Sequence, residues 1–403
     1  MKLQYKKMGW ECLTPEDGDF AFGYYDRFAW NQSDTLHLAL KMPQQTRLPE
    51  VGETAELGYI RDKKFYKLTE TKAWCHQQGC MSVFLNDSEI LYNDVDDLTG
   101  KVISKVYNLD TQEIKPWGDM IYTISQHCTK VATLDIGRIP RRGYSYASAP
   151  LLGTSLPADP KNDGLFIVDV VTKKKTLVLS YQQCLDIHPY PWDKEGQMFW
   201  MNHAIFNCDG SKILVLFRHT EIKPSERSGA WWRTHMFTLD IDGGNIKCVL
   251  PEVFWKNSGV THQIWGIKPN DVLVDADWTH TGNHQVIVDD RTFPDSPAKL
   301  VSKGSCKGAH LLYSPDGKWL VGDSYPADGK QTLTLTKVET GGCKVIGVFN
   351  HNTPGVVGDM RCDLHPSWNH AGDYLTVDTI HEGPRKIYGL SMSKVFESYS
   401  TLI

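Results

Sequence analysis

Leu312-Tyr-Ser-Pro-Asp-Gly-Lys-Trp-Leu-Val321 joins an apolar pair, a tight polar turn and an alternating apolar run. Asp-Gly accepts the positive φ of a hairpin turn, and the period-2 run that follows buries one face of a strand. The unit recurs in Ile205-Phe-Asn-Cys-Asp-Gly-Ser-Lys-Ile-Leu-Val215 and Ser367-Trp-Asn-His-Ala-Gly-Asp-Tyr-Leu-Thr-Val377. Weaker copies begin at Ala29, Phe84, Ile124 and Trp265, for seven in all. Second strands follow, as in Val106-Tyr-Asn-Leu-Asp-Thr111 and Phe237-Thr-Leu-Asp-Ile241. Hairpins repeating at wide intervals predict an all-β, seven-bladed β-propeller over residues 1–403 as one domain. Seven blades in 403 residues leave roughly 58 residues each, enough for long loops on one face. A β-sandwich would not repeat one turn seven times. Proline-rich stretches at Pro150–Pro160 and Pro189–Pro191 read as face loops, and Ser391–Ser398 as a short helix.

Composition agrees with this and excludes several functions. Thirteen Trp, 17 Tyr and 33 Gly suit short strands and turns better than helices. A net charge of -5 without a basic block argues against a nucleic-acid partner. No run of eighteen apolar residues exists, so no membrane partner is expected. The N-terminus lacks the apolar core of a signal peptide, which points to the cytoplasm, or to the periplasm or secretion if a leader was trimmed. The ten scattered cysteines form no CxxC pair and are expected as reduced thiols. No GxSxG elbow, P-loop or dinucleotide fingerprint is present, so no organic cofactor is expected.

Five histidines precede or open signature strands: His76, His203, His262, His310 and His365. A propeller can aim such residues at one central basin, or use them to bond neighbouring blades. Two groupings follow. His310, Asp323, Cys362 and His365 offer N, O and S ligands, with Cys-x-x-His spacing, for a structural zinc between the last two blades. His76, Tyr122 and Arg138, with Tyr144, His203 and Arg218 as substrate-binding residues, suit an acidic oligo- or polysaccharide. Arginine grips a carboxylate through a planar fork. Neutralising a uronate carboxylate acidifies its C5 proton, which Tyr or neutral His can then remove. Hydrolysis would need two facing carboxylates; the run Asp94, Asp96, Asp97 reads instead as a solvated turn.

Several phrases carry a family resemblance: Phe22-Gly-Tyr-Tyr-Asp26 with Trp30, Cys75-His-Gln-Gln-Gly79, Arg138 through Tyr144, Ser314-Pro-Asp-Gly317, Asp323-Ser-Tyr-Pro326, and Arg361-Cys-Asp-Leu-His-Pro366 with His381-Glu-Gly383. From about residue 20 to 390 the chain resembles the seven-bladed propeller polysaccharide lyases, the ulvan lyases and their relatives that cut the L-rhamnose-α-1,4-D-glucuronate linkage. The resemblance implies β-elimination, with Tyr122 as acid/base, Arg138 neutralising the uronate and His76 assisting at C5. It also implies a zinc site between blades. The chain departs from the family at Thr54-Ala-Glu-Leu-Gly58, where a further histidine is expected. Two alternatives stand beside this reading. One is a non-catalytic glycan-binding or scaffold propeller. The other is an oligogalacturonate lyase with a manganese-type His/Gln cluster, against which the soft ligand Cys362 argues.

Overall fold

The computed structural model describes residues 8–140, 143–151, 156–187, 196–221, 232–278, 280, 282, 284–302 and 309–400. Pro189–Pro191 and parts of the Pro150–Pro160 and Arg138–Tyr144 stretches lie outside these residues.

The hairpin units become seven four-stranded antiparallel sheets arranged as blades. Blade 6 is representative. Leu311–Tyr313 pairs with Trp319–Asp323, then Lys330–Lys337 and Gly342–Asn350 complete the sheet. The turn is tied by Asp316, whose carboxylate accepts from Ser314 Oγ at 2.7 Å and Lys318 N at 3.1 Å. Gly317 holds φ +68°, and a Cβ there would come 2.8 Å from Ile267 of the preceding blade. Glycine is therefore required by backbone conformation and by blade packing together.

The ring closes by strand exchange. Glu11–Cys12 adds to Lys386–Ser391, so the first strand of the chain completes the last blade. Trp10 anchors it, donating its indole N–H to the Ile346 carbonyl at 3.0 Å and meeting Phe349 edge-on at 5.4 Å. Arg385 braces the same seam from inside, bonded to Asp378 at 2.7 Å and to the His76 carbonyl at 2.8 Å. The long first strand of blade 4, Gln197–Phe206, is buried along its whole length because both faces pack against neighbours. Helix among the described residues is limited to short segments, Tyr181–Ile187, Glu252–Asn257 and Ser393–Ser400, with single 3-10 turns at Ile136–Arg138 and Gly358–Met360. None is long and apolar enough to cross a membrane.

Among the described residues eight cysteines are free, whereas Cys343 is disulfide-bonded, which corrects the expectation of ten reduced thiols.

Candidate active site at one mouth of the channel

The first strands of the blades line the central channel, and local irregularities in them aim imidazoles inward. In blade 4 the pairing with Lys212–Glu221 shifts between Asn202 and Ile205, and His203 sits in that bulge at φ +51°. In blade 5 the pairing of Thr261–Trp265 shifts between Thr261 and Gln263, leaving His262 at φ +25°. His365 also has positive φ, +41°, just before Ser367–Trp368. Bulges of this kind redirect a single side chain without ending the strand.

The rings form a continuous chain. His203 and His262 lie 6.4 Å apart by centroid, His262 and His310 4.1 Å, and His310 and His365 4.5 Å. Tyr24 closes the circle from blade 1, 5.4 Å from His203 and 4.8 Å from His365. Four of the five histidines therefore converge. His76 does not: its Nε2 meets the Gln44 carbonyl at 3.1 Å and its ring packs against Trp74.

Above this ring opens a cavity of about 790 Å³, lined by Tyr24, Tyr144, His203, Arg218, His262 and Tyr325 among others. The three residues expected to bind substrate, Tyr144, His203 and Arg218, all stand on its wall. An adjoining space of about 730 Å³ shares Tyr144 and Tyr325 and runs on to His351 and Arg361. The two spaces therefore form adjoining parts of one groove.

Arg218 is the unusual group. Its Nε donates to Thr234 Oγ1 at 3.2 Å and its guanidinium lies 5.2 Å over the Trp232 ring. Among the described residues no carboxylate pairs with it. Burial pulls its pKa down to about 10, against the raising influence of nearby tyrosines led by Tyr24. A cation so placed calls for an anionic ligand. His203 faces it. Burial first, and the Arg218 charge second, hold that imidazole well below its usual pKa and keep it neutral.

The expected catalytic trio does not assemble. Tyr122 is buried, and its phenol oxygen accepts the His203 backbone N–H at 2.8 Å and the Gln78 amide at 3.4 Å. Arg138 lies instead beside Asp163 at 3.4 Å, over the Tyr181 ring. Tyr122 and Arg138 thus keep different company, and Tyr122 underpins the His203 backbone.

The metal-ligating group is also regrouped. His310, Asp363 and His365 place one ligand atom each within 4.8 Å of one another, all buried. Cys362 is excluded, because along an extended run alternate side chains face opposite ways. Asp363 and His365 share one side, while Cys362 packs with Val356 and Ile380. Asp323 stands one layer out. It accepts from His310 Nδ1 at 2.9 Å and from the backbone N–H groups of His310 and His365 at 2.9 and 3.2 Å. This leaves His310 Nε2 as the free lone pair, and it has no partner. His365 likewise has no hydrogen-bonded ring nitrogen; the Gly23 carbonyl adds to its electrostatics without hydrogen-bond geometry. Orphaned buried imidazoles beside a carboxylate fit a divalent cation with N and O preference. Arg361 shares the Asp363 carboxylate through Nε at 3.0 Å and Nη2 at 2.8 Å, and donates to Tyr144 Oη at 2.7 Å.

Asp363, Arg361, Tyr24 and Tyr325 were not assigned roles from sequence. Their signal lay in Phe22-Gly-Tyr-Tyr-Asp26, Asp323-Ser-Tyr-Pro326 and Arg361-Cys-Asp-Leu-His-Pro366, the stretches that carried the family resemblance.

Fold and site define a seven-bladed β-propeller with a histidine-ringed basin at one mouth. An oligogalacturonate lyase solved in complex with manganese is similar over 96% of this chain and 94% of its own, with TM-score 0.63 and 15% identity. A second oligogalacturonate lyase, from Vibrio parahaemolyticus, gives TM-score 0.60 and 17% identity over the same shares. A prolyl endopeptidase matches 97% of this chain but 50% of its own length, at TM-score 0.52 and 12% identity. At such identities the likeness is one of fold. No family model matches the chain, and no curated protein matches its sequence.

Proposed function

We propose that this propeller is a lyase that cleaves a uronate-containing oligosaccharide by β-elimination. The observation that carries the reading is Arg218, a half-buried guanidinium without a carboxylate partner among the described residues, set in a groove beside neutral His203. A substrate carboxylate docked on Arg218 loses its charge, which acidifies the adjacent C5–H. His203 takes that proton, the C4–C5 double bond forms, and the C4–O bond breaks. Tyr325 supplies the proton to the departing oxygen. Its hydroxyl is 3.1 Å from His262 Nε2, and a phenol is protonated at neutral pH, so it is able to donate. No water is consumed.

His310, Asp363 and His365 would hold a divalent cation beneath the floor of the same basin. Bound there, the ion supplies further positive charge for the carboxylate. Manganese in one fold relative supports an ion of this class, and the removal of Cys362 from the cluster takes away the argument for zinc. The same relatives favour an oligogalacturonate over the rhamnose-glucuronate linkage expected from sequence.

The test is incubation with oligogalacturonate and, separately, a rhamnosyl-glucuronate oligosaccharide. Ultraviolet absorbance of the unsaturated uronate should rise with the first, and product masses should sum to the parent without added water. Arg218→Ala should lower kcat/KM by about 100-fold or more. Arg218→Lys should recover only part, since it lacks the fork. Cleavage with uptake of water, or an Arg218→Ala enzyme of full activity, would sink the reading.

A further inference from the structure

The opposite mouth of the channel holds a second cavity, of about 400 Å³, to which all seven blades contribute. Arg27 and Asp26 line it, and both side chains are only 3% exposed. They are not satisfied by each other: Arg27 Nε and Asp26 Oδ1 stand 3.8 Å apart, beyond hydrogen-bond distance. Arg27 Nη2 is anchored on the Tyr122 carbonyl, which fixes the guanidinium plane. Its Nε and Nη1 have no partner, and neither does the indole N–H of Trp30 on the same cavity. Asp26 Oδ1 is also unpaired.

Buried polar groups of this kind are rare unless something fills the gap. Here the unpaired groups form a pattern: three donor atoms, Arg27 Nε, Arg27 Nη1 and Trp30 Nε1, against one acceptor. The complement is a molecule that mostly accepts and donates at least once. A carboxylate with a neighbouring hydroxyl has that character. The walls add the aromatic rings of Phe28, Trp30, Phe84 and Tyr313, and Gln32, Asn86 and Gln126 make a solvent-exposed amide rim. Flat apolar faces with amides at the edge suit a sugar ring, and the volume lies at the small end of ligand pockets.

We infer that this second mouth is a binding site for a small hydroxylated carboxylic acid of monosaccharide size, held by Arg27, Trp30 and Asp26. The inference stands on the cavity and does not require the lyase reading. Glucuronate serves as the probe. Isothermal titration is run on the full chain carrying Arg218→Ala, so that the upper basin lacks the Arg218 guanidinium. One equivalent should bind, and adding Trp30→Phe, which removes the indole N–H and part of the aromatic face, should weaken binding about tenfold. Arg27→Gln should abolish it, with circular dichroism reporting whether that variant folds; if it does not, Trp30→Phe alone decides. No binding to the Arg218→Ala protein, or binding that Trp30→Phe leaves unchanged, would overturn the inference. Either result leaves the Arg218 assay of cleavage untouched.

Discussion

At the scale of single residues, this protein buries imidazoles in the neutral form. His37 is 1% exposed, bonded to the Leu38 carbonyl at 2.7 Å and Thr376 Oγ1 at 3.1 Å. Burial lowers its pKa from 6.5 to about 4, and His76 shifts to about 4 for the same leading reason. Because the folded pKa is depressed, the unfolded chain takes up the proton first. The stability each group contributes is complete above pH 6.5 and is lost as pH falls toward about 4. For His37 that is about 3 kcal/mol over the window. Urea midpoints recorded from pH 7 down to this range should fall, and His37→Gln should flatten part of the slope. An unaltered slope in His37→Gln would show that another group titrates.

At the scale of the element, the ring depends on a strand of two residues. Glu11–Cys12 contributes little hydrogen bonding by itself, so its attachment rests on Trp10, 4% exposed against Phe349 and the Ile346 carbonyl. Trp10→Ala should cost about 3–5 kcal/mol, read as a lower calorimetric midpoint. A midpoint within error of the parent would mean that the seam is held by Arg385 and Asp378 instead. Elements also divide sharply in legibility. The turn at Ser314-Pro-Asp-Gly317 was readable because Asp316 and Gly317 act on their immediate neighbours. The bulges at His203 and His262 were not, since a register shift depends on the partner strand.

At the scale of the whole molecule, the metal-ligating group is a product of assembly: His310 comes from blade 6, Asp363 and His365 from the entry to blade 7. A cation bound there ties two blades and stabilises only the folded ring, so manganese should raise the thermal midpoint in a concentration-dependent way. Asp323 orients the His310 ring and pins the His365 backbone without belonging to the cluster. Asp323→Asn should therefore weaken manganese binding about 10–100-fold by calorimetry while leaving one site per chain. Undiminished affinity would assign Asp323 to blade packing alone.

From the chain alone, the propeller follows, because each hairpin is specified by a few adjacent residues and repeats seven times. The convergence of His203, His262, His310 and His365 was partly visible, since all four sit before or within first strands. The partners were not. Tyr122 and Arg138 keep a sixteen-residue interval in sequence, yet one faces His203 and the other Asp163. Cys362 and Asp363 are neighbours, and only the path of the folded chain determines which one faces the histidines. Local turns are set by short-range sterics, whereas a site drawn from several blades depends on register and ring closure, which no short stretch encodes.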